Sequence, residues 1–281
     1  MKSLCIKTNN NKIIEYLLNK IENLDFPNIY YCRKSFKIYE NVILHYKEKN
    51  EEKFDNIISD IITDTIFIFY QENILKRIIN INYFYFEQFE KNKIYENSID
   101  LFKQDKQEIK ENLFKQVNNY IKENKNIVLE GIVNFRIYEY IKMLDNIVDM
   151  AVNKYIIERE YKEFIDLLKI YVNSTDAKAE IIHLIYTNGE SILLDKEKNI
   201  IQMNNDINNV KYLSDISFSS NDIALNTLLS MLPKRVEIHI IDKEDEFIET
   251  LKMIFENRIK ICEECNICKT YKMINNVKIS K

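Results

Sequence analysis

The chain has 281 residues, 46 % of them hydrophobic, with 40 Lys+Arg against 44 Asp+Glu, a net charge of −4, and only 2 glycines and 2 prolines. Average usage would supply roughly 20 Gly and about 14 Pro, so collagen-like, Gly/Ser-linker and Pro-rich disordered classes are excluded. A glycine-cradled phosphate loop is disfavoured too, because it needs positive φ and close backbone approach, and the balanced charge gives no global field for nucleic acid or an anionic membrane.

Residues 1–48 read as a small N-terminal α+β unit. Leu4 to Lys7 suits a short strand, and Ile13, Ile14, Leu17, Leu18, Ile21 and Leu24 then recur at helical spacing. Pro27 marks the end of that helix. The β-branched and aromatic pieces Ile29 to Cys32 and Phe36 to Tyr46 suit a sheet.

Residues 49–175 read as a helical region. Asn50 or Lys49 opens a helix with Phe54, Ile57, Ile58, Ile61 and Ile62 on its apolar face. Another helix is expected from about Leu101 to Val128, stopping at Gly131, where glycine suits the left-handed position after a helix end. Ile137, Tyr140, Ile141, Leu144, Val148, Ala151 and Tyr155 trace the next stripe, which Ile157, Tyr161, Phe164, Leu168 and Tyr171 continue. So much apolar surface must pack on other helices or on a sheet.

Residues 176–281 read as a C-terminal α/β region. Ile181 to Tyr186, Asn188-Gly189 and Ser191 to Leu194 spell a hairpin, because both turn residues tolerate positive φ. A third strand, Ile200 to Met203, precedes a polar connection from Asn204 to Ser220. A helix from about Asn221 to Leu232 ends at Pro233, and Val236, Ile238 and Ile240 then alternate as a strand. Asp242 is placed to cap a helix through Phe247 to Phe255, and a strand from Arg258 to Cys262 completes a β-α-β unit with a right-handed crossover. The expected class is α+β, without Gly/Pro-rich joints between its parts.

Three of the 5 cysteines, Cys262, Cys265 and Cys268, fall in one seven-residue window as C-x2-C-x2-C. Two intervening residues make a tight chelating loop, so these thiolates could surround a soft metal ion, zinc, or a corner of an iron–sulfur cluster. They lie at the carboxyl end of a strand in the β-α-β unit, where ligands gather, and the acidic turn of Asp242, Glu244 and Asp245 ends the neighbouring strand. Against this stand Lys272 where a ferredoxin-type run has its fourth cysteine, and the absence of the glycine common in zinc knuckles. A fourth ligand would have to be Cys5, Cys32, His239 or a group from a second chain; His239 is near in sequence but sits mid-strand. The competing reading is three reduced thiols at a loosely held terminus.

Other candidates are weaker. Glu158, Glu160, Glu163 and Asp166 crowd one helix, but Glu158 with Lys162 and Asp166 with Lys169 are ordinary surface pairings. His45 and His183 lie in strand-like stretches without a partner nearby in sequence and read as structural. No Ser/His/Asp set, P-loop or HExxH is present. Most of the 18 tyrosines fall on apolar stripes, which suits packing better than base stacking. No apolar run reaches the ~18 residues of a membrane span, and Met1 to Lys7 lacks a signal-peptide core. With an odd cysteine count, these features point to a cytoplasmic protein with reduced thiols.

The stretch Leu129-Glu130-Gly131-Ile132-Val133-Asn134-Phe135-Arg136, followed by Tyr138 and Tyr140, resembles the YtxC-like sporulation proteins. The similarity continues through Ile157 to Lys169, the His183-Leu184-Ile185 strand, Pro233-Lys234-Arg235-Val236 and the Cys265/Cys268 tail, covering about residues 125 to 270. The resemblance implies a sporulation context in endospore-forming bacteria and carries over no catalytic residues. The expected function is therefore a cytoplasmic, sporulation-associated protein that works through protein–protein contacts, with a homo-oligomer among the forms those contacts take. Enzymatic turnover is the less favoured reading. The alternative is a metal- or iron–sulfur-dependent enzyme or redox sensor built on Cys262, Cys265 and Cys268.

Overall fold

Alternation organises the first sheet. In β1 (Lys2–Thr8), Leu4, Ile6 and Thr8 are buried while the residues between them are not, the period of a strand covered on one face. The structure, a computed structural model, describes residues 2–201, 219–262 and 264–279. β2 (Ile29–Ser35) and β3 (Glu40–Tyr46) pair antiparallel, β3 pairs antiparallel with β1, and β4 (Asn126–Val128) runs parallel to β1, giving the order β2-β3-β1-β4. Between β1 and β2, α1 (Asn11–Glu22) is capped by Asn10, whose side chain accepts the Lys12 N–H.

The first unit, residues 1–158, has one continuous apolar core. Its helices are α2 (Glu51–Phe69), α3 (Gln71–Asn82), α4 (Gln88–Gln104), α5 (Lys106–Glu123), α6 (Leu129–Phe135) and the first part of α7 (Tyr138–Ser174). Asn50 does open α2, accepting the Lys53 N–H. The helix expected from Leu101 to Val128 is instead the end of α4, all of α5 and strand β4. Gly131 lies inside α6 and does not take a left-handed conformation; a Cβ there would meet only the Val128 side chain, at an ordinary 3.7 Å.

The second unit, residues 159–281, is built on β5 (Ala179–Thr187), β6 (Glu190–Leu194), β7 (Pro233–Ile240) and β8 (Ile259–Ile261), in the order β6-β5-β7-β8. The hairpin forms where expected: Asn188 has φ +52° and Gly189 φ +77°, so both turn residues are left-handed. Ile200 bridges Leu194 and the Ile201 N–H donates to Leu193, while the remainder of that expected strand and the connection through residue 218 lie outside the described residues. α8 (Ser220–Met231) ends on Leu232, whose φ of +38° is offset by complete burial of its side chain. β5, β7 and β8 run parallel, and α9 (Glu246–Phe255) forms the crossover of the expected β-α-β unit. α10 (Asn266–Ile279) follows. The overall class is α+β.

This sheet buries both faces. Ile182, Leu184, Val236 and Ile238 share a core with α8, α9 and the Ile165 and Val172 side chains of α7. On the opposite face Ile185 packs with Leu194, Ile241 and Cys268. Strand residues two apart point the same way, so His183 and Ile185 of β5 and Glu237 and His239 of β7 belong to that second face.

Three expectations are corrected. Asp245, not Asp242, caps α9, accepting the Phe247 and Ile248 N–H groups, while Asp242 accepts from the Thr187 hydroxyl and the Asn188 N–H in the hairpin turn. Along the second half of α7 the buried residues are Ile165 and Val172, whereas Tyr161, Phe164 and Tyr171 are exposed. Glu158 pairs with Lys154, and Lys169 pairs with Glu256 at 2.6 Å. Among the described residues, no helix is long and apolar enough to cross a membrane.

Candidate metal centre

The parallel register of β7 and β8 starts the site. Ile238 lies opposite Ile261, and the Cys262 N–H still donates to the Ile238 carbonyl at 2.9 Å, which sets Cys262 beside His239. The chain then turns into α10, with Cys265 immediately before the helix and Cys268 in its first turn. The free N–H groups of a first helical turn seek an acceptor, and those of Ile267 and Cys268 reach the Cys265 sulfur.

The result is four convergent donors. His239 Nδ1 is 3.4 Å from both Cys265 Sγ and Cys268 Sγ, and Cys268 Sγ is 3.8 Å from both Cys265 Sγ and Cys262 Sγ. All four donor atoms lie within 4.8 Å of one another. Zinc–sulfur bonds of about 2.3 Å at tetrahedral angles separate two sulfurs by about 3.8 Å, and a nitrogen from a sulfur by about 3.6 Å. The spacing thus fits one tetrahedral ion. A [4Fe–4S] cluster places each thiolate on a different iron and a [2Fe–2S] cluster divides the ligands between two irons, so either spreads the set wider than one ion does.

Burial and mutual contact set the acidity of each donor. Burial pushes the Cys262 thiol up to about 12, reinforced by the two neighbouring thiols. Burial also works to raise the Cys265 thiol, but the Cys268 and Ile267 N–H groups and the neighbouring thiols outweigh it and bring it below the ordinary cysteine range. Burial, with repulsion from His183, lowers the His239 imidazole. A cation among these groups favours the thiolate and neutral-imidazole forms together.

Of the four sources of a fourth donor that the sequence leaves open, His239 is the one brought to the cysteines; Cys5 and Cys32 lie on β1 and β2 of the first unit. The acidic turn is engaged elsewhere: Asp242 on the hairpin, Asp245 on α9 and on the Tyr186 hydroxyl, Glu244 on Lys252. Cys268 is buried, and the segment after the cysteines is a helix packed through it.

Sequence reasoning misses His183. Its Nδ1 lies 3.1 Å from His239 Nε2 and 3.4 Å from Glu237 Oε2, and Glu237 Oε1 is held by Arg235 at 3.1 Å. The signal is the strand register, which sets His183 opposite Glu237 and Ile185 opposite His239. His45 has a plain partner, the Ser3 hydroxyl at 2.8 Å. In the first unit Glu130 ties α6 to β1, accepting from the Thr8 hydroxyl at 2.6 Å and the Asn9 N–H at 3.2 Å.

A family model described as the YtxC-like family matches residues 56–260. A protein of Bacillus subtilis (strain 168) described as "Uncharacterized protein YtxC" is 22 % identical over 129 residues, covering 45 % of this chain and 45 % of that relative. The match thus spans less than half the length of the curated relative. No solved structure matches the chain.

Proposed function

The chain belongs to the YtxC-like family, and we propose that it is a sporulation-associated cytoplasmic protein that acts through protein contacts, its C-terminal unit closed by one zinc ion on Cys262, Cys265, Cys268 and His239. One observation carries the metal and the non-catalytic role together: four protein donors at the spacing of a single tetrahedral ion. Such a shell is complete, whereas catalytic zinc keeps a position for water or substrate. The contact role draws support from Phe164, Leu167 and Ile170 on α7, each more than half exposed.

Metal analysis of protein purified anaerobically tests this reading. The expected result is one zinc per chain, a colourless protein, and loss of the metal in Cys265→Ser. Stoichiometric iron with visible absorption, or metal-free protein with intact thiols, overturns it. The sporulation role is tested in a spore-forming host lacking the chain: heat-resistant spore yield falls and is restored by the parent sequence.

A second reading, a thiol redox sensor, is favoured by one feature. Cys265 and Cys268 flank the start of α10 with their sulfurs 3.8 Å apart, and the Cys265 thiol is shifted toward its reactive form. Under this reading, brief peroxide treatment converts that pair to a disulfide and releases the metal, which thiol counting with zinc release would register.

A further inference from the structure

We propose that His183 is a positioning residue of the metal centre, accepting the Nε2–H of His239 and so holding that imidazole with Nδ1 toward the thiolates. This inference rests on the zinc reading and goes beyond it, because His183 offers the metal no atom itself.

The hydrogen inventory of the two rings fixes their roles. A neutral imidazole that binds a metal through Nδ1 carries its proton on Nε2, and a buried N–H needs an acceptor. His239 is buried, and His183 Nδ1 stands 3.1 Å from its Nε2. His183 then carries its own proton on Nε2. Glu237 Oε2 flanks the shared nitrogen at 3.4 Å, and Arg235 restrains the same carboxylate through its other oxygen. The nearby negative charge favours the proton between the two rings and makes His239 Nδ1 a better donor to the metal. All three side chains leave the same sheet face from β5 and β7, so their relative placement is set by backbone ladders.

The rival use of these atoms is a second cation held by His183, Glu237 and His239, whose donor atoms also lie within 4.8 Å of one another. That would require the His239 ring to bridge two metals as an imidazolate, and Glu237 to serve a metal while paired with Arg235. The hydrogen bond makes neither demand.

The test uses the full chain, with zinc in competition with a chromophoric chelator and cobalt(II) as spectroscopic probe. Expected are one equivalent of metal in the parent, 10- to 100-fold weaker binding in His183→Ala with an altered cobalt spectrum, and recovery of both in His183→Asn, which restores an acceptor. Circular dichroism of the metal-free forms is expected to be unchanged, which separates positioning from misfolding. Equal affinity and spectrum in parent and His183→Ala overturn the inference and leave the zinc reading intact. Two equivalents in the parent, the second lost in His183→Ala, overturn it in favour of the bridged pair. A parent that takes up no metal overturns both.

Discussion

The Lys2 ammonium lies 2.6 and 2.7 Å from the two carboxylate oxygens of Asp55, joining β1 to α2 with the side chains only 11 % and 5 % exposed. Breaking such a pair from one side leaves a buried charge uncompensated, which costs about 3–5 kcal/mol. Asp55→Ala is therefore expected to lower the stability of the first unit by that amount. Replacing both partners, as Lys2→Met with Asp55→Leu, removes both charges and is expected to recover most of the loss. Urea denaturation of the two variants checks this; a double variant as unstable as the single one contradicts it.

Arg258 plays the corresponding part in the second unit. Its guanidinium donates to the carbonyls of Val172 at 2.5 Å, Thr175 at 3.5 Å and Pro233 at 3.1 Å, gathering the end of α7, the following turn and the start of β7. Carbonyls at a helix end lack intrahelical donors, and a charged hydrogen bond contributes about 1.5–3 kcal/mol. Arg258→Met keeps the stem and is expected to cost the second unit about 2–3 kcal/mol. Arg258→Lys can reach only part of the set and should fall between, as thermal melts of the three proteins would show.

Local chemistry makes some of this fold readable, and nonlocal register hides the rest. The Asn188-Gly189 hairpin is legible because its turn needs two left-handed residues, and Asn50 because α2 needs an acceptor at its first N–H groups. β4 has three residues, too few to display a period, so its sequence merges with the helix before it and Gly131 takes on the look of a helix end. Asp242 and Asp245 are equivalent as caps on paper; the hairpin turn that claims Asp242 comes from 54 residues upstream. The cysteine triad is visible as spacing. Its fourth donor is not, because a mid-strand histidine becomes a partner only when β8 fixes Cys262 beside it and α10 folds over that face.

On the zinc reading, removing the metal is expected to act locally. Among the described residues, the core beneath α10 has four buried side chains, Ile185, Leu194, Ile241 and Cys268, far fewer than the core on the other sheet face. A zinc-bound native state is stabilised over its metal-free form by the binding free energy. Chelation is expected to speed amide exchange in β8 and α10 while leaving β1 and β3 of the first unit unchanged. Identical exchange in β8 and α10 before and after chelation would contradict this.

Tyr140 gives the clearest pH signature in the first unit. Its ring is fully buried near Phe67, and its hydroxyl finds no hydrogen-bond partner among the described residues. Burial pushes the phenol well above its ordinary value. The unfolded chain releases that proton near pH 10, while the folded chain keeps it. The contribution is thus intact below about pH 10 and is lost progressively as pH rises toward the folded value. Tyr140→Phe removes one such proton, so stability between about pH 10 and 12 should fall less steeply, by up to about 1.4 kcal/mol per pH unit. At pH 7 the same change deletes a buried hydroxyl without a partner, so stability should hold or rise by about 1 kcal/mol. Urea midpoints of both proteins from pH 7 to 11.5 decide it: equal slopes above pH 10 would mean that the phenol reaches water, and a loss at pH 7 would mean that the hydroxyl has a partner.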